Sequence, residues 1–306
     1  MKIKDHLKWI ARNPYHIVGL LAYRGVFDWM KDEAYLKLLY KSWFGKRIDL
    51  NDPKSFNEKM QWLKLYDHKP EYTQMVDKYE VKKYVAERIG EEYIIPTLGI
   101  WDSFDEIDFD SLPDQFVLKC THDSGSVFVC RDKAKLDKSA LKHKLNRRLK
   151  RKYYIANREW PYRNVKPRIM AECYMEDVNQ PNGLRDNKFY CFDGEPKLLY
   201  VSEGLENHET AKISFLNIDW TFAPFRRLDY KPFDKLPPKP EHFEHMCALA
   251  RQLSQDVPFL RVDLYEINGK VYFSELTFFP CGGFILFHPA EWDEKLGLDI
   301  KLPESK

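Results

Sequence analysis

One stretch near the carboxyl end, residues 259–277 (FLRVDLYEINGKVYFSELT), restricts the possible folds more than any other part of the sequence. Apolar and polar side chains alternate on both sides of Asn268 and Gly269, which predicts strands at 259–267 and 271–279. An Asn-Gly pair between two alternating runs is the strongest short-range signal for a β-hairpin. The chain is therefore predicted to contain an antiparallel sheet with one apolar and one polar face.

The register of this hairpin decides which side chains share a face. A two-residue turn without a bulge would place Glu275 opposite Val262, on the apolar side. The alternation therefore favours a three-residue loop or a bulge close to the turn, with Gly269 in a left-handed conformation. In this register the predicted apolar face consists of Leu260, Val262, Leu264, Tyr272, Leu276 and Phe278.

The polar face of the same hairpin brings Asp263 and Glu275 together, with Arg261 and Thr277 beside them. The same alternation places Tyr265 and Phe273 on this face. Two neighbouring carboxylates repel each other unless a cation lies between them. Oxygen ligands alone suit Mg²⁺ that bridges substrate phosphates. The pattern predicts a metal-binding hairpin, and the alternative is a solvent-facing sheet surface with salt bridges.

A second hairpin is predicted at residues 116–130 (FVLKCTHDSGSVFVC), where Lys119 lies in the middle of an apolar strand. A lysine in that position is costly unless it meets an anion or reaches solvent. The small residues of the following loop expose backbone N–H groups that can surround phosphate oxygens. The alternative is an ordinary hairpin whose lysine extends to the solvent.

The other segments predict an α+β fold. Residues 1–75 have helical patterns, and Ser55 and Glu58 form a capping box in front of one helix. From residue 93 onwards short strands alternate with single helices, which does not match a doubly wound βαβ sheet. The strands outside the first hairpin are predicted at residues 93–95, 116–120, 127–130, 168–174, 188–192 and 197–201.

Charge and cysteine content exclude several classes of protein. The formal net charge is only +2, so nucleic-acid binding is not expected. The basic run at 142–152 (KHKLNRRLKRK) is interpreted as a solvated helix face, with contact to an anionic glycan or a lipid-linked substrate as the alternative. Six cysteines without a C-x-x-C spacing indicate reduced thiols and no zinc site.

The amino-terminal segment gives no signal for export. Residues 1–5 are polar, and the apolar run at 17–22 is far shorter than the ~20 residues that a membrane span requires. We therefore expect a cytoplasmic protein. Residues 1–30 mix basic, aromatic and aliphatic side chains, which fits a helix packed on its own domain or, alternatively, a helix lying on the inner face of the membrane.

The order of these segments resembles the ATP-grasp superfamily. Within it the chain looks like the teichuronopeptide-biosynthesis (TupA-like) branch, which is associated with bacterial surface polysaccharides. The resemblance covers residues 35–303 and is carried by the stretches NDPKSFNEKMQWLKL (51–65), DKY (77–79), LPDQFVLK (112–119), EWPYRNVKPRIMAE (159–172) and 261–280. It implies two α+β lobes with largely antiparallel sheets that clasp ATP. A helical region at 1–76 would precede the lobes at 77–172 and 173–306.

The resemblance also implies a role for each of several residues. The phosphate contacts would come from Lys78, Lys119 and a covering loop of Ser124, Gly125 and Ser126. A hinge that reads adenine would comprise Glu172, Cys173 and Tyr174, with Glu176 or Asp177 near the ribose. The reaction centre would contain Lys188 near the phosphates, Asp263 and Glu275 holding Mg²⁺ or Mn²⁺, and Arg261 stabilising the charge that develops during transfer.

Two features depart from the superfamily's usual pattern. Its third metal ligand is an Asn two residues after the Glu, and this position holds Thr277, which offers only a neutral hydroxyl. Its amino-terminal Rossmann-like domain is replaced here by helical patterns, so the resemblance does not locate the acceptor site.

The expected activity is that of an ATP-dependent carboxylate–amine ligase, which forms an amide through an acyl phosphate. The expected acceptor is a uronic acid of a surface polysaccharide or its precursor, and the co-substrate is an amine or amino acid. One alternative is a kinase of the same fold that phosphorylates a sugar or polyol hydroxyl, with Asp186 as the candidate base. Another is a glycosyltransferase or accessory protein of the same pathway.

Overall fold

The computed structural model describes residues 16–180, 183–205 and 211–304. Half of the segment predicted to contact a membrane, residues 1–15, lies outside the described residues. The described helices are α1 (His16–Tyr23), α2 (Asp32–Phe44), α3 (Phe56–Tyr66), α4 (Glu71–Val76), α5 (Glu80–Ile89), α6 (Lys138–Leu149), α7 (Tyr153–Asn157), α8 (Phe243–Leu253) and α9 (Trp292–Gly297).

The strands form two main sheets and one short ribbon. They are β1 (Thr97–Trp101), β2 (Phe116–Cys120), β3 (Val127–Cys130), β4 (Ile169–Cys173), β5 (Asp186–Phe192), β6 (Glu195–Glu203), β7 (Lys212–Asn217), β8 (Arg226–Arg227), β9 (Phe259–Ile267), β10 (Lys270–Thr277) and β11 (Phe287–His288). Every pair of neighbouring strands in these sheets is antiparallel, so the α+β prediction is confirmed.

The amino-terminal helices begin where the sequence places capping residues. Ser55 Oγ accepts a hydrogen bond from the Glu58 backbone N–H at 3.2 Å, and Glu58 Oε2 accepts one from the Ser55 N–H at 3.1 Å. This is the predicted capping box, and it fixes the start of α3.

The four-stranded sheet has the order β1-β4-β2-β3. One face is apolar and packs on α6, whose Leu141 and Leu145 share a buried cluster with Leu118. The strand predicted at 93–95 is wrong, because residues 91–93 form a 3₁₀ turn and β1 begins at Thr97. Pro96 cannot donate a ladder hydrogen bond, which explains why the strand starts after it.

The five-stranded sheet has the order β10-β9-β5-β6-β7. Helix α8 covers one face, where the Phe243 and Phe189 rings lie 5.8 Å apart. On the other face, Phe56 of α3 packs on Phe259 and Tyr190, with ring centroids 5.0 and 6.2 Å away. The polar half of that second face carries the side chains of the candidate site.

The hairpin that is predicted to bind a metal has a two-residue turn and a bulge. Lys270 pairs with Ile267, and Asn268 and Gly269 have φ values of 49° and 75°. The register then shifts between Phe273 and Glu275, which brings Glu275 opposite Asp263. The predicted bulge is confirmed and so is the left-handed Gly269, whereas the three-residue loop is wrong.

The bulge also corrects two of the predicted faces. Phe273 pairs with Leu264 and is 5% exposed, so it belongs to the apolar face. Tyr272 pairs with Tyr265 and belongs to the opposite face. The prediction placed Phe273 on the polar face and Tyr272 on the apolar face. It counted the alternation back from Glu275 without allowing for the bulge between Phe273 and Glu275.

Within the described residues, no helix combines the length and the apolar character that crossing a bilayer requires.

Candidate active site

The polar half of the five-stranded sheet carries a row of charged side chains across three strands. Glu275 of β10 pairs with Asp263 of β9, which in turn pairs with Lys188 of β5. Directly paired residues point to the same side of a sheet. Antiparallel pairing therefore collects on one rigid surface three residues that are far apart in the sequence.

Asp263 is the centre of this row and is fully buried. Its two oxygens accept hydrogen bonds from Arg261 Nε and Nη2, both at 2.6 Å. Lys188 Nζ lies 2.5 Å from Asp263 Oδ2 and also binds Asp186. Burial alone would lower the pKa of Lys188, but the Asp186 and Asp263 carboxylates outweigh it and raise the pKa. Lys188 is therefore held as a cation.

Glu275 contacts cations that come from both sides of the cleft. Arg261 Nη2 lies 3.4 Å from Glu275 Oε2, and Lys78 Nζ lies 3.8 Å from Glu275 Oε1. Burial would raise the pKa of this carboxyl, but Lys78 and Arg261 lower it overall. The predicted set Arg261, Asp263, Glu275 and Lys188 is thus brought together, and Lys78 joins it.

Lys78 connects the hairpin to the loop after β2. Its ammonium group binds the Asp123 carbonyl oxygen, and its backbone N–H donates to the Thr121 carbonyl at 3.1 Å. A single lysine thus holds the glycine loop of the four-stranded sheet against the carboxylates of the five-stranded sheet.

Lys119 of the four-stranded sheet forms an ion pair with Glu172, and it is one of the cations that lower the pKa of Glu275. Glu172 also accepts from Lys82 Nζ at 2.6 Å. Burial would raise the pKa of Glu172, but the two lysines lower it overall. The Glu172 side chain is thus paired with two lysines, and the adenine hinge of Glu172, Cys173 and Tyr174 stays a prediction.

Lys82 is a site residue that the sequence did not reveal. It lies on α5 beside the exposed Lys83, and it also donates to the Ile95 carbonyl and to Thr97 Oγ1, both at 2.7 Å. Adjacent lysines on a helix look alike in the sequence. Only the packing of α5 against β1 and β4 distinguishes them.

The predicted phosphate loop divides into an exposed tip and a buried support. Ser124 and Gly125 are exposed, and Gly125 has φ +78° with open space where a Cβ would lie. Ser126 is fully buried, and its hydroxyl binds Asp123 and accepts from the Cys120 N–H at 3.0 Å. The Ser126 side chain therefore shapes the loop, and only the tip is free to approach a ligand.

Asp177, predicted near the ribose, has a structural role in the described chain. Asp177 Oδ1 accepts from the Asn179 N–H at 2.8 Å, and Oδ2 accepts from the Asn268 N–H at 3.0 Å. These bonds tie the segment after β4 to the turn of the hairpin. A ribose contact from Asp177 stays a prediction, and the neighbouring Glu176 is exposed.

The donor set suits a hard divalent cation that keeps bonds to phosphate and water. Within the described residues, no three His, Cys, Asp or Glu side chains form a cluster that could hold a metal ion. Asp263 and Glu275 are two carboxylates, and Thr277 Oγ1 is buried without a hydrogen-bond partner in the described chain. Mg²⁺ is usually held in proteins by one or two carboxylates together with substrate phosphates. The residues therefore fit Mg²⁺, although the metal role remains a prediction.

Comparison with known proteins gives one family and several solved structures. The sequence model of the family described as TupA-like ATPgrasp matches residues 58–301. The structure is similar to a D-alanine–D-alanine ligase from Bacillus anthracis complexed with ATP, with 16% identity and a TM-score of 0.37 over 66% of this chain and 53% of that one. A RimK domain protein ATP-grasp from Sphaerobacter thermophilus is 9% identical, with a TM-score of 0.41 over 75% of this chain and 69% of that one.

A D-Alanine-D-Alanine ligase from Helicobacter pylori is 15% identical, with a TM-score of 0.40 over 73% of this chain and 56% of that one. The chain thus spans little more than half of the length of either ligase. No curated protein matches the sequence. At these identities the likeness concerns the fold alone.

Proposed function

Because the chain belongs to the TupA-like ATP-grasp family, we propose that it is an ATP-dependent carboxylate–amine ligase. The proposed acceptor is a uronic acid of a bacterial surface polysaccharide or its precursor, and the proposed co-substrate is an amine or amino acid. We place the reaction in the cytoplasm, where ATP is available. The support for the acceptor is the resemblance to the branch associated with surface polysaccharides.

One observation carries the proposed chemistry: cations from the five-stranded sheet and from the segment before α5 converge on a pair of carboxylates. Lys188 and Arg261 lie 2.5 and 2.6 Å from Asp263, and Arg261 and Lys78 lie 3.4 and 3.8 Å from Glu275. Phosphoryl transfer is catalysed mainly by positioning and by neutralising charge on the transferred group. A preorganised set of cations at a metal-binding carboxylate pair supplies both.

The proposed reaction has two steps. In the first, a carboxylate oxygen of the acceptor forms a bond to the γ-phosphorus of ATP, and the bond from that phosphorus to the β–γ bridging oxygen breaks as ADP leaves. In the second, the amine nitrogen bonds to the acyl carbon, the carbon–oxygen bond of the acyl phosphate breaks, and phosphate leaves. The amine loses a proton, so the products are amide, ADP and phosphate.

Each charged residue has a defined task in this proposal. Lys119 and Lys78 contact the ATP phosphates, and the Ser124–Gly125 tip covers them. Asp263 and Glu275 hold Mg²⁺, with Thr277 as a neutral donor. The metal, when bound, neutralises phosphate charge and polarises the transferred group. Arg261 is oriented by its two bonds to Asp263 and stabilises the equatorial oxygens during transfer.

We assign the acceptor carboxylate to Arg227. Its guanidinium already binds the carboxylate of Asp229 through Nε, at 2.9 Å, and through Nη2, so the acceptor would use its remaining N–H groups or replace Asp229. Arg227 comes from the short strand β8, its side chain is 10% exposed, and its guanidinium lies 5.9 Å from the Tyr200 ring. Arg261 lies 5.7 Å from the same ring. A carboxylate bound by Arg227 would therefore lie beside the residue that stabilises the transferring phosphoryl group.

The kinase alternative is supported by the state of Asp186. Burial raises the pKa of this carboxyl, and its Oδ1 has no partner among the described residues. A base with a raised pKa and a free oxygen suits the removal of a hydroxyl proton. The same raised pKa also suits acceptance of the amine proton, so product identity must distinguish the two.

The test is to incubate the protein with Mg-ATP and uronic acids, with and without amines, and to identify the products by mass spectrometry. Hydroxylamine replaces the amine in a parallel reaction, because it converts an acyl phosphate into a stable hydroxamate. A ligase gives a hydroxamate and, with an amine, an amide. A phosphate ester that survives hydroxylamine would instead show a kinase, and the ligase proposal would be wrong.

A further inference from the structure

The loop that follows the metal-binding hairpin is held in an unfavourable backbone conformation. Cys281, Gly282 and Gly283 have φ values of 54°, 63° and 70°. A Cβ on Gly282 would lie 2.6 Å from Asn157 Nδ2, and one on Gly283 would lie 2.7 Å from Met60 Cβ. Three successive left-handed residues, one of them not glycine, persist only when their surroundings enforce them.

Helix α3 provides that enforcement through a polar stripe, which we define as Asn57, Gln61 and Lys64. These residues lie one and two turns apart on a single helix face. They are 0%, 0% and 2% exposed. A helix face in a protein core is usually apolar, so three buried polar side chains in succession require an explanation.

Every member of the polar stripe binds the backbone of the loop or of the residues directly after it. Lys64 Nζ donates to the Gly282 carbonyl at 2.5 Å, and Gln61 Nε2 donates to the Gly283 carbonyl at 2.6 Å. Asn57 Nδ2 donates to the Ile285 carbonyl at 2.9 Å, and Asn57 Oδ1 accepts from the Ile285 N–H at 2.7 Å. The helix therefore determines the path of residues 282–285.

Burying Lys64, the charged member of the polar stripe, also costs free energy. Lys64 is buried with Glu159, which is 4% exposed, and burial lowers the pKa of the lysine and raises that of the glutamate. Removing ionisable groups from water costs free energy that hydrogen bonds offset only in part. The presence of Lys64 is better explained by the conformation that it imposes than by the stability that it contributes.

The loop faces the candidate active site. The Cys281 residue is exposed, but burial of its sulfur raises the pKa of the thiol, and the nearby Arg227 and Arg261 oppose that rise. The loop begins three residues after Thr277, at the end of the strand that carries Glu275. The loop thus lies near Arg261 and near Arg227, whose strand β8 pairs with β11 a few residues after the loop.

We propose that Asn57, Gln61 and Lys64 are positioning residues that hold the loop of residues 280–283 as a wall of the acceptor pocket. The loop's role in acceptor binding rests on the proposed function, whereas the control of its conformation by helix α3 does not. The ligand on the other side of the wall is a carboxylate-bearing acceptor, which contacts Arg227. The helical amino-terminal region thereby becomes part of the catalytic apparatus.

The experiment uses Cys281 as a reporter, because it is the one exposed cysteine among the six, all of which are described. Alkylation by iodoacetamide is followed by peptide mapping in the wild type and in two variants. The first variant, Lys64→Met with Glu159→Gln, removes both buried charges and keeps the side-chain volumes, so that no buried charge is left unpaired. The second, Gln61→Met, removes one hydrogen bond to the loop.

Lys59→Met is the matched control. Lys59 lies on the same helix and its Nζ also donates to a backbone carbonyl, that of Ile300 at 2.7 Å, but it does not contact the loop. In the ordered loop, burial raises the pKa of the Cys281 thiol, so a loosened loop exposes more of the reactive thiolate. We therefore expect alkylation of Cys281 to become about tenfold faster in both stripe variants, which corresponds to a loss of about 1.4 kcal/mol in loop ordering. Lys59→Met should react at the wild-type rate.

Nucleotide affinity and acceptor kinetics separate the two parts of the proposal. The stripe variants should bind Mg-ATP with wild-type affinity, while the KM for the acceptor rises about tenfold. Unchanged alkylation in a folded stripe variant, or equal acceleration by Lys59→Met, would show that the stripe does not hold the loop. Faster alkylation with an unchanged acceptor KM would confirm the positioning and refute the acceptor wall, whatever the reaction proves to be.

Discussion

Lys119 is held in the cleft by Glu172, and this contact determines what its removal should do. We expect Lys119→Met to weaken ATP binding by about 10- to 100-fold, the loss expected for one or two hydrogen bonds to a charged group. The fold should persist, because Glu172 keeps its second partner, Lys82, at 2.6 Å. Isothermal titration calorimetry measures the affinity, and thermal melting measures the stability.

The exposed Lys83, which pairs only loosely with Glu87 at 3.9 Å, provides the control. Lys83→Met should change neither the affinity nor the melting temperature. A collapse of the melting temperature in Lys119→Met would mean that Lys119 is a structural residue, and its phosphate role would then be wrong.

For single residues, the sequence predicted those candidate site residues whose charge contrasts with apolar neighbours in the chain. Lys119 stands out because it interrupts an apolar strand, and Asp263 because it alternates with Val262 and Leu264. Lys64 and Lys82 do not stand out, since a lysine on a helix normally extends to solvent. Their burial depends on which elements pack against those helices, and that information lies outside the local sequence.

Two glycines at the tips of different hairpins allow backbone and ligand effects to be separated. Gly125 and Gly269 have φ values of +78° and +75°, and each has open space where a Cβ would lie. We expect Gly125→Ala and Gly269→Ala to lower the free energy of unfolding by a similar amount, about 1–2 kcal/mol, because both force alanine into a left-handed conformation. Urea denaturation measures this loss.

Only Gly125→Ala should also weaken ATP binding, because only that loop covers the phosphates in the proposed complex. Gly269→Ala is thus the matched control for the stability that is lost when alanine takes a left-handed backbone conformation. Equal ATP affinities in the two variants would contradict the assignment of Ser124 and Gly125 to the phosphate end.

The elements show why hairpin strands are easier to predict than their registers. The bounds of β2, β3 and β9 match the prediction, since alternation is local. A two-residue Asn-Gly turn without a bulge would place Glu275 on the face opposite to Asp263. The bulge between Phe273 and Glu275 allows both the two-residue turn and the pairing of Glu275 with Asp263. The sequence revealed the conflict but did not locate the extra residue, and the two-residue strands β8 and β11 leave no periodic signal at all.

At the scale of the whole molecule, the candidate site belongs to neither sheet alone. Lys119 comes from the four-stranded sheet, Lys188 and Arg261 come from the five-stranded sheet, and Lys78 touches both. Helix α3 adds a third contribution, because it packs Phe56 under the five-stranded sheet and directs the loop of residues 280–283. A nucleotide that contacts all of these groups must stabilise the entire chain rather than one lobe.

Mg²⁺ should be required for that stabilisation. A ligand at 100 times its Kd adds about 2.7 kcal/mol to the free energy of unfolding, which raises the melting temperature by several degrees. We expect this increase with ATP plus Mg²⁺ or Mn²⁺ and little of it with ATP plus EDTA. The reason is that phosphate oxygens and the carboxylates of Asp263 and Glu275 repel one another unless a cation lies between them.

Glu275→Gln tests the assignment most cleanly, because the Glu275 side chain is 28% exposed whereas Asp263 is buried between Lys188 and Arg261. This variant should melt like the wild type without nucleotide, lose most of the extra protection given by Mg²⁺, and lose turnover. Asp263→Asn combined with Glu275→Gln should abolish turnover completely. If ATP protects the wild type equally well with EDTA, or if the double variant keeps its turnover, the hairpin is not a metal site. The cations around it would then neutralise the phosphates directly, and the cluster of Lys78, Lys188 and Arg261 would have to perform the transfer without Mg²⁺.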